Sequence, residues 1–189
     1  MIKVKHIISY GFVIAWLSLL SYSAQAIPVV KLVGPESINI NELFVVSVYV
    51  DGVTELDPFL GLDEVLAFAF DVVAPSSINY NGAILGAGFL DDSLLLPDTD
   101  IAAHAVPGVS GDDILLADLS FTPTLAGIFN VGIFSDLLDP NEGLFTMLYR
   151  EDMTSSIVVA APEPSSLTLL CVGLAIMLSL RKRSQNISE

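Results

Sequence analysis

The chain has 189 residues and a formal net charge of −15, because 22 acidic residues outweigh seven Lys and Arg. Such a charge excludes binding to nucleic acid or to anionic lipid through electrostatics, since both partners require clustered cations. A single cysteine, Cys171, excludes an intramolecular disulfide. The length suits one domain with flanking segments, and the hydrophobic content of 53% includes an apolar stretch near each end.

The first 26 residues have the plan of a secretory signal peptide. Lys3 and Lys5 give a basic start, residues 7–20 are apolar, and Ala24 and Ala26 form a small-x-small end. The pattern predicts cleavage after Ala26. An uncleaved anchor helix is disfavoured because serines interrupt the apolar run before a cleavage-type site. We therefore expect an exported protein.

Residues 27–160 form the predicted globular domain, which is of ordinary size for a single domain. Only two basic residues fall in it, Lys31 and Arg150, against twenty acidic ones, which gives a formal charge of −18. This charge suits a soluble surface protein or one that recruits divalent cations.

Short alternating segments separated by turn residues fill this domain. In residues 42–50, Phe44, Val46, Val48 and Val50 share one phase, which is typical of a half-buried strand. The predicted strands are residues 29–33, 42–50, 64–73, 77–85, 113–121, 128–135, 144–149 and 154–160. Their spacing predicts an all-β fold, a β-sandwich or jelly roll, without a helix in the domain.

The pattern also predicts the inward face of one strand and the position of two loops. In the strand at 113–121, Leu115, Ala117, Leu119 and Phe121 are predicted to face inward. Residues 86–111, rich in Gly, Pro, Asp and Leu, are predicted to form a loop longer than compact domains usually carry. A second predicted loop covers residues 136–143.

Several stretches of the domain resemble cohesin-like domains. They are residues 28–33, 45–50, 66–72, 114–121 and 127–131. The resemblance spans most of residues 27–160 and implies a jelly-roll sandwich that acts as a non-catalytic binding module. It also implies a dockerin-like protein as one class of partner. Fold alone does not determine function.

The tail, residues 161–189, has three parts in order. Pro162-Glu163-Pro164 is a rigid extended triplet. Residues 167–180 are apolar and would rise about 21 Å as a helix, which is short for a hydrocarbon core of about 30 Å. Arg181, Lys182 and Arg183 follow, and the positive-inside rule places them in the cytoplasm. The sequence predicts a single C-terminal transmembrane helix here.

This tripartite tail resembles the PEP-CTERM sorting signal, which exosortases recognise. The resemblance implies that Pro162, Glu163 and Pro164 are recognition residues of a protease substrate and not catalytic residues. It implies export, a transient anchor in the inner membrane through residues 167–180, and a final location at the cell surface or in the extracellular matrix of a Gram-negative bacterium. A plain C-terminal membrane anchor is the alternative.

Acidic residues concentrate in the two predicted loops, and their oxygens suit calcium. The candidate ligands are Asp91, Asp92, Asp98, Asp100, Asp136, Asp139 and Glu142. The loops lack the Asp-x-Asp-x-Asp-Gly spacing of a recognised calcium loop. Solvated charges on an acidic surface are therefore the alternative, and no other cofactor is expected.

No catalytic residues are predicted. His104 is the only histidine of the domain, it has no cysteine beside it, and no serine sits in an elbow motif, so a nucleophilic triad is not supported. We expect His104 to be an exposed loop side chain. The sequence thus favours an exosortase-processed binding module for protein or exopolysaccharide. The alternative is a calcium-stabilised structural or adhesion module of a biofilm matrix.

Overall fold

The structure is a computed structural model that describes residues 27–53, 56–57, 61–163, 170–174 and 176–177. The strands of this part of the chain are β1 Val29–Val33, β2 Phe44–Asp51, β3 Leu56–Asp57, β4 Gly61–Leu62, β5 Val65–Val73, β6 Ile78–Leu85, β7 Leu90–Asp91, β8 Ile101–Val109, β9 Ile114–Pro123, β10 Gly127–Phe134, β11 Gly143–Thr146, β12 Arg150–Glu151 and β13 Ser155–Ala161. They confirm the all-β prediction for the domain.

The strands form two antiparallel sheets. One has the order β1-β2-β9-β6. The other runs β12-β11-β5-β10-β13, while β8 pairs with β5 and β7 pairs with β8. A separate short hairpin joins β3 to β4. Residues of both sheets contribute to a single buried cluster, so the sheets pack as a sandwich.

Alternation along the strands builds this core. On β2, Phe44, Val46, Val48 and Val50 are buried, whereas Ser47 and its phase partners face outward. The largest fully buried side chains are Phe68, Phe70, Phe121, Leu116, Leu119, Ile133, Leu144 and Met153. The first predicted strands therefore lie where the pattern placed them.

The prediction of one long loop over residues 86–111 is wrong. This segment contains β7 and the nine-residue strand β8, which pairs with β5. Ile101, Ala103 and Ala105 alternate into the core, but alanine lacks the β-branched or aromatic bulk that marks a strand in sequence. Tertiary pairing, not local propensity, makes this segment a strand.

The inward phase predicted for β9 holds for part of the strand only. Val48 pairs with Ala117 but Tyr49 pairs with Leu115, so Leu116 is an extra residue in a β-bulge. The bulge buries Leu116 and leaves Leu115 partly exposed. Ala117, Leu119 and Phe121 are buried as predicted.

Gly86 fits against this bulge. Its N–H donates to the carbonyl of Leu116 at 2.8 Å. A Cβ at position 86 would lie 1.8 Å from the carbonyl oxygen of Leu115, so only glycine allows the approach.

The tail follows β13 directly. β13 ends at the fully buried Ala161, and residues 170–174 and 176–177 are helical and exposed. Among the described residues, no helix has the length and apolar character that crossing a membrane requires. The predicted signal peptide, with Ala24 and Ala26, lies outside the described residues.

The sandwich has two distinct ends. Where β13 finishes, Ala161 pairs with Gly127 and the N–H of Asn41 donates to the carbonyl of Pro123 at 2.9 Å. We call this the tail end; it comprises residues 34–43, 74–77, 123–127 and 160–163. The chain enters β1 at the opposite end, where Val29 pairs with Asp51.

Candidate functional site

A groove runs over the outer face of β5, β10 and β13. Its floor is Gly132, which pairs with Val73 on β5 and with Ser156 on β13. Because glycine has no side chain, the sheet surface is recessed there. Phe134 rises beside it, and the groove encloses about 390 Å³, within the range of ligand sites.

The lining is apolar with a polar rim. Val73 and Phe134 are about half exposed although each sits on a strand. Asn130, Thr154 and Ser156 supply amide and hydroxyl groups around them. Such a surface offers apolar contact together with a few hydrogen-bonding groups, as binding sites usually do.

Close packing dictates glycine at the floor. A Cβ at Gly132 would lie 2.5 Å from the carbonyl oxygen of Ser155, in the backbone of the neighbouring strand. This groove was not predicted from the sequence. A glycine inside the alternating run 128–135 was the available signal, since an isolated strand glycine marks a close backbone approach.

The outer face of the other sheet is chemically different. Ser47 donates to Asp118 at 2.5 Å, and the amide of Asn81 donates to the hydroxyl of Thr122 at 2.9 Å. Its polar groups are thus bonded to one another across the strands. On the face with the groove, Val73 and Phe134 are about half exposed beside Gly132.

The first group of predicted calcium ligands has other contacts in the structure. Asp91 accepts the N–H of Ser93 at 2.9 Å, and this hydrogen bond is the main cause that lowers the pKa of Asp91. Asp92 contacts Nδ1 of His104. His104 is therefore a partly exposed strand residue in contact with a carboxylate, and its prediction as a loop residue is wrong.

The second group organises its own loop. The buried carboxylate of Glu142, which is 4% exposed, accepts the N–H of Asp136 at 2.5 Å. Asp136 accepts the N–H of Leu138, and Asp139 accepts that of Asn141, each at 2.8 Å. These carboxylates cap turns of the loop between β10 and β11.

The two acidic loops meet at one point. The hydroxyl of Thr99 donates to Glu142 at 3.5 Å. Asp98, Asp139 and Asn141 line a cavity of about 50 Å³ beside this contact. In the described part of the chain, no three His, Cys, Asp or Glu side chains are grouped closely enough to hold a metal ion.

Asp100 stands apart from that cavity. Its carboxylate accepts the N–H of Val72 at 2.9 Å, and its own N–H donates to the carboxylate of Asp71 at 3.2 Å. These two hydrogen bonds extend the pairing of β5 with β8 by one residue. The predicted ligands are therefore distributed over three places.

Both cations of the domain hold acidic loops in place. Arg150 donates from Nε and Nη2 to the carbonyl of Glu142 at 3.1 and 2.7 Å, and from Nη2 to the carbonyl of Asp139. Lys31 bonds Asp51 at 2.7 Å and also bonds Asp113. Neither cation is free to attract an anionic ligand.

These contacts shift two pKa values at the Lys31 cluster. The hydrogen bonds from Lys31 to Asp113 and Asp51 raise the pKa of Lys31 above its usual range. The same ammonium group, together with the N–H of Asp113, lowers the pKa of Asp51. Charge pairing thus stabilises the ionised form of each group.

The end of β13 leads straight into Pro162 and Glu163, which are exposed. They lie in a cleft with Ala126 and Ile128 at the tail end. The family described as the PEP-CTERM protein-sorting motif matches residues 160–183. The chain carries a PEP-CTERM sorting motif. Pro164, Arg181, Lys182 and Arg183 belong to the matched segment but lie outside the described residues.

A solved structure shares the fold of the domain. It is a cohesin module from a family 33 glycoside hydrolase of Clostridium perfringens ATCC13124, with a TM-score of 0.53 and 12% sequence identity. The match covers 74% of this chain and 99% of that module. A comparison with curated protein sequences finds no match. The PEP-CTERM motif therefore follows a domain with a cohesin fold.

The PEP-CTERM motif begins without a linker. Ala161 is fully buried, Ala160 donates to the carbonyl of Glu36 at 3.0 Å, and Pro162 follows at once. Proline has no N–H and cannot extend the ladder with β10, so the strand stops at Ala161, directly before Pro162.

Proposed function

We propose that this protein is exported and is anchored by its tail until an exosortase cuts near Pro162-Glu163-Pro164. It then acts at the cell surface or in the extracellular matrix as a non-catalytic binding module. The PEP-CTERM motif at residues 160–183 supports the sorting part of this proposal. The groove over Gly132 carries the binding part, because it is an apolar recess on a sheet face.

An extracellular polysaccharide is the ligand class that the groove chemistry favours. The ring of Phe134 offers an apolar face for the C–H side of a sugar, and Asn130, Thr154 and Ser156 offer hydrogen-bonding groups for its hydroxyls. The domain's charge of −18 favours neutral or cationic glycans over acidic ones. A dockerin-like protein is the second partner class, which the cohesin fold supports.

The test is a panel of matrix polysaccharides and dockerin-containing proteins screened by calorimetry against the exported chain. Phe134→Ala should weaken binding at least about fivefold, the effect of losing about 1 kcal/mol at an aromatic anchor. Ile84→Ala is the matched control, since Ile84 is an exposed strand residue of the other sheet. Equal affinities of the two variants would refute the assignment of the groove.

The sorting proposal has its own test. Replacing Pro162, Glu163 and Pro164 together by alanine should leave the full chain uncut in the inner membrane of a host that has an exosortase. The control replaces Ser184, Gln185 and Asn186, which follow the basic cluster. Release of the first variant at the wild-type rate would contradict the proposal.

A second candidate is a calcium-stabilised adhesion module. This candidate is favoured because the two acidic loops contact each other. Asp98, Asp139 and Asn141 there supply oxygen atoms to one small cavity. Calcium at about 100 times its dissociation constant would add about 2.7 kcal/mol of stability, which raises the Tm by several degrees. Asp98→Asn should abolish that rise, whereas Asp118→Asn, on the other sheet, should not. An unchanged Tm with and without chelator would reject this candidate.

A further inference from the structure

Strand β6 forms one edge of the sheet β1-β2-β9-β6. Within the described part of the chain it pairs with β9 alone, so the backbone groups on its other side have no strand beside them. An open edge of this kind is a template for pairing with another chain unless charge or proline protects it. The sequence of β6, INYNGAIL, contains neither. Its composition therefore allows a further strand to pair with it.

Other strands at the sheet edges carry features that hinder such pairing. β1 contains Lys31, and β12 consists of Arg150 and Glu151. On the side of β13 away from β10, residues 36–38 bond the N–H and the carbonyl of Ala160. Charge or a covering segment thus protects these edges but not β6.

The free backbone groups of β6 lie at Ala83 and Leu85. The N–H of Gly86 donates to the carbonyl of Leu116 on β9 at 2.8 Å, and the register with β9 is unbroken from there back to Ile84. Backbone groups point alternately to the two sides of a strand. Gly86 and Ile84 therefore point to β9, whereas Ala83 and Leu85 point to the open side.

Ile84 stands between these two positions, with its side chain on the outer face of the sheet. It is 71% exposed, and its partner on β9, Asp118, bonds Ser47 on the same face. Gly82, two residues earlier on this face, adds no side chain beside it. The β-bulge between Tyr80 and Gly82 precedes the segment, which is itself regular. The open edge thus presents one large apolar side chain between two pairs of free backbone groups.

We propose that β6 pairs antiparallel with β6 of a second copy of this chain, about a two-fold axis at Ile84. Ala83 of each copy then exchanges two hydrogen bonds with Leu85 of the other, so that all the free groups are used. The two Ile84 side chains face each other in a non-hydrogen-bonded pair, where side chains approach most closely. A second copy fits this edge because the free positions lie symmetrically on either side of Ile84.

The acidic domains tolerate this contact because β6 carries no charge. On the outer face the neighbouring carboxylate is Asp118, which pairs with Ile84. Three strand spacings separate the two copies of Asp118 by about 14 Å, more than the Debye length of about 8 Å at physiological ionic strength. Each domain has a formal charge of −18, so the pairing should strengthen as salt is added.

Disulfide trapping of the purified full chain tests the pairing. Every chain carries Cys171→Ser, which removes the native thiol. Ile84→Cys places a thiol where the two copies meet, close enough for a disulfide. Val45→Cys is the matched control, because Val45 is exposed on the same outer face but lies on β2. Detergent micelles in excess over the protein keep the tails of two chains apart.

A third chain adds Ala83→Pro to Ile84→Cys. Proline removes the N–H that points to the open side, and an edge strand accepts it at such a position. This chain separates strand pairing from a chance contact between exposed thiols, because it keeps the Ile84→Cys thiol and loses a backbone donor.

We expect Ile84→Cys to give a disulfide-linked product of twice the mass of the chain, with a higher yield at about 1 M salt than at about 0.01 M. Val45→Cys and the chain with Ala83→Pro should give only a background yield. Equal yields from Ile84→Cys and Val45→Cys would show random collision and overturn the inference, as would the absence of a dimer. If Ala83→Pro prevents folding, the comparison of the two single thiols still decides. The contact lies on the sheet opposite the groove, so this outcome is independent of ligand binding there.

Discussion

Lys31 on β1 bonds the carboxylate of Asp113, a residue 82 positions later that adopts a φ of 54°. A left-handed conformation is unusual for a residue other than glycine, although Asp tolerates it better than most. Asp51 completes the arrangement, because it bonds Lys31 and accepts the N–H of Asp113 at 2.8 Å. Three polar residues thus fix the turn between β8 and β9 against the end of β2.

We predict that Lys31→Met lowers the Tm, because the turn loses its only cation and two carboxylates are left facing each other. The loss should be larger at an ionic strength of about 0.01 M than at about 1 M, where the Debye length falls from about 30 Å to about 3 Å. Lys31→Arg is the control, since it keeps the charge. A loss of the same size at both ionic strengths would contradict the role given to charge.

Acid pH should destabilise the domain through three aspartates whose pKa values are lowered in the folded state. Burial would raise the pKa of Asp152, but hydrogen bonds from Thr154, Ser135 and the backbone outweigh it. The pKa values of Asp51 and Asp91 are lowered by Lys31 and Ser93 respectively.

A lowered folded pKa contributes stability that is fully present above the unfolded value of about 3.9 and is lost as the pH falls through the folded pKa. The Tm should therefore decrease steeply below about pH 4. Asp152→Asn should make this decrease shallower, and a Tm profile parallel to wild type would contradict the role given to Asp152.

Tyr80 should lose its phenol proton at a higher pH than an ordinary tyrosine. Its partial burial, with a smaller contribution from Asp100, raises its pKa to about 12. Because the neutral phenol is favoured in the folded state, its contribution to stability is present below the unfolded pKa of about 10 and is lost as the pH rises towards 12. Ultraviolet difference spectra of wild type and Tyr80→Phe would isolate this phenol. A midpoint near 10 in that difference would refute the prediction.

Gly86→Ala should cost about 2 kcal/mol or more, since the new methyl group would overlap the carbonyl of Leu115 at the β9 bulge. Ala87→Ser, at the exposed neighbouring position, should change the free energy of unfolding by less than about 0.5 kcal/mol. Denaturant melts of both variants provide the measurement. A Gly86→Ala protein as stable as the Ala87→Ser protein would mean that the bulge relaxes freely.

Sequence patterns predicted the strands with strong alternation and missed the one without it. Phe44 to Val50 and Phe129 to Ile133 alternate large apolar residues, and the structure buries them as expected. Strand β8 was not predicted because Ala103 and Ala105 add little to a hydrophobic alternation pattern. Its place in the core depends on pairing with β5, which is distant in sequence and therefore invisible to local patterns.

The candidate site was less predictable than the fold. The acidic composition predicted a calcium site in the two acidic loops. In the structure, their carboxylates mostly accept hydrogen bonds from neighbouring backbone N–H groups in turns. The groove depends on the register that sets Gly132 beside Val73 and Ser156, and register is a property of the assembled sheet. The PEP-CTERM motif, by contrast, is a contiguous signal and was recognised from the sequence alone.

The pairing of β10 with β13 has a mechanical consequence. Seven residue pairs, from Gly127 with Ala161 to Ile133 with Ser155, join these strands side by side. A pull on the tail acts along β13, and the paired strand β10 holds β13 back. The hydrogen bonds between the strands are then loaded together in shear and do not open one after another like a zipper. The pairing with β10 should therefore resist detachment of β13 when the tail is pulled.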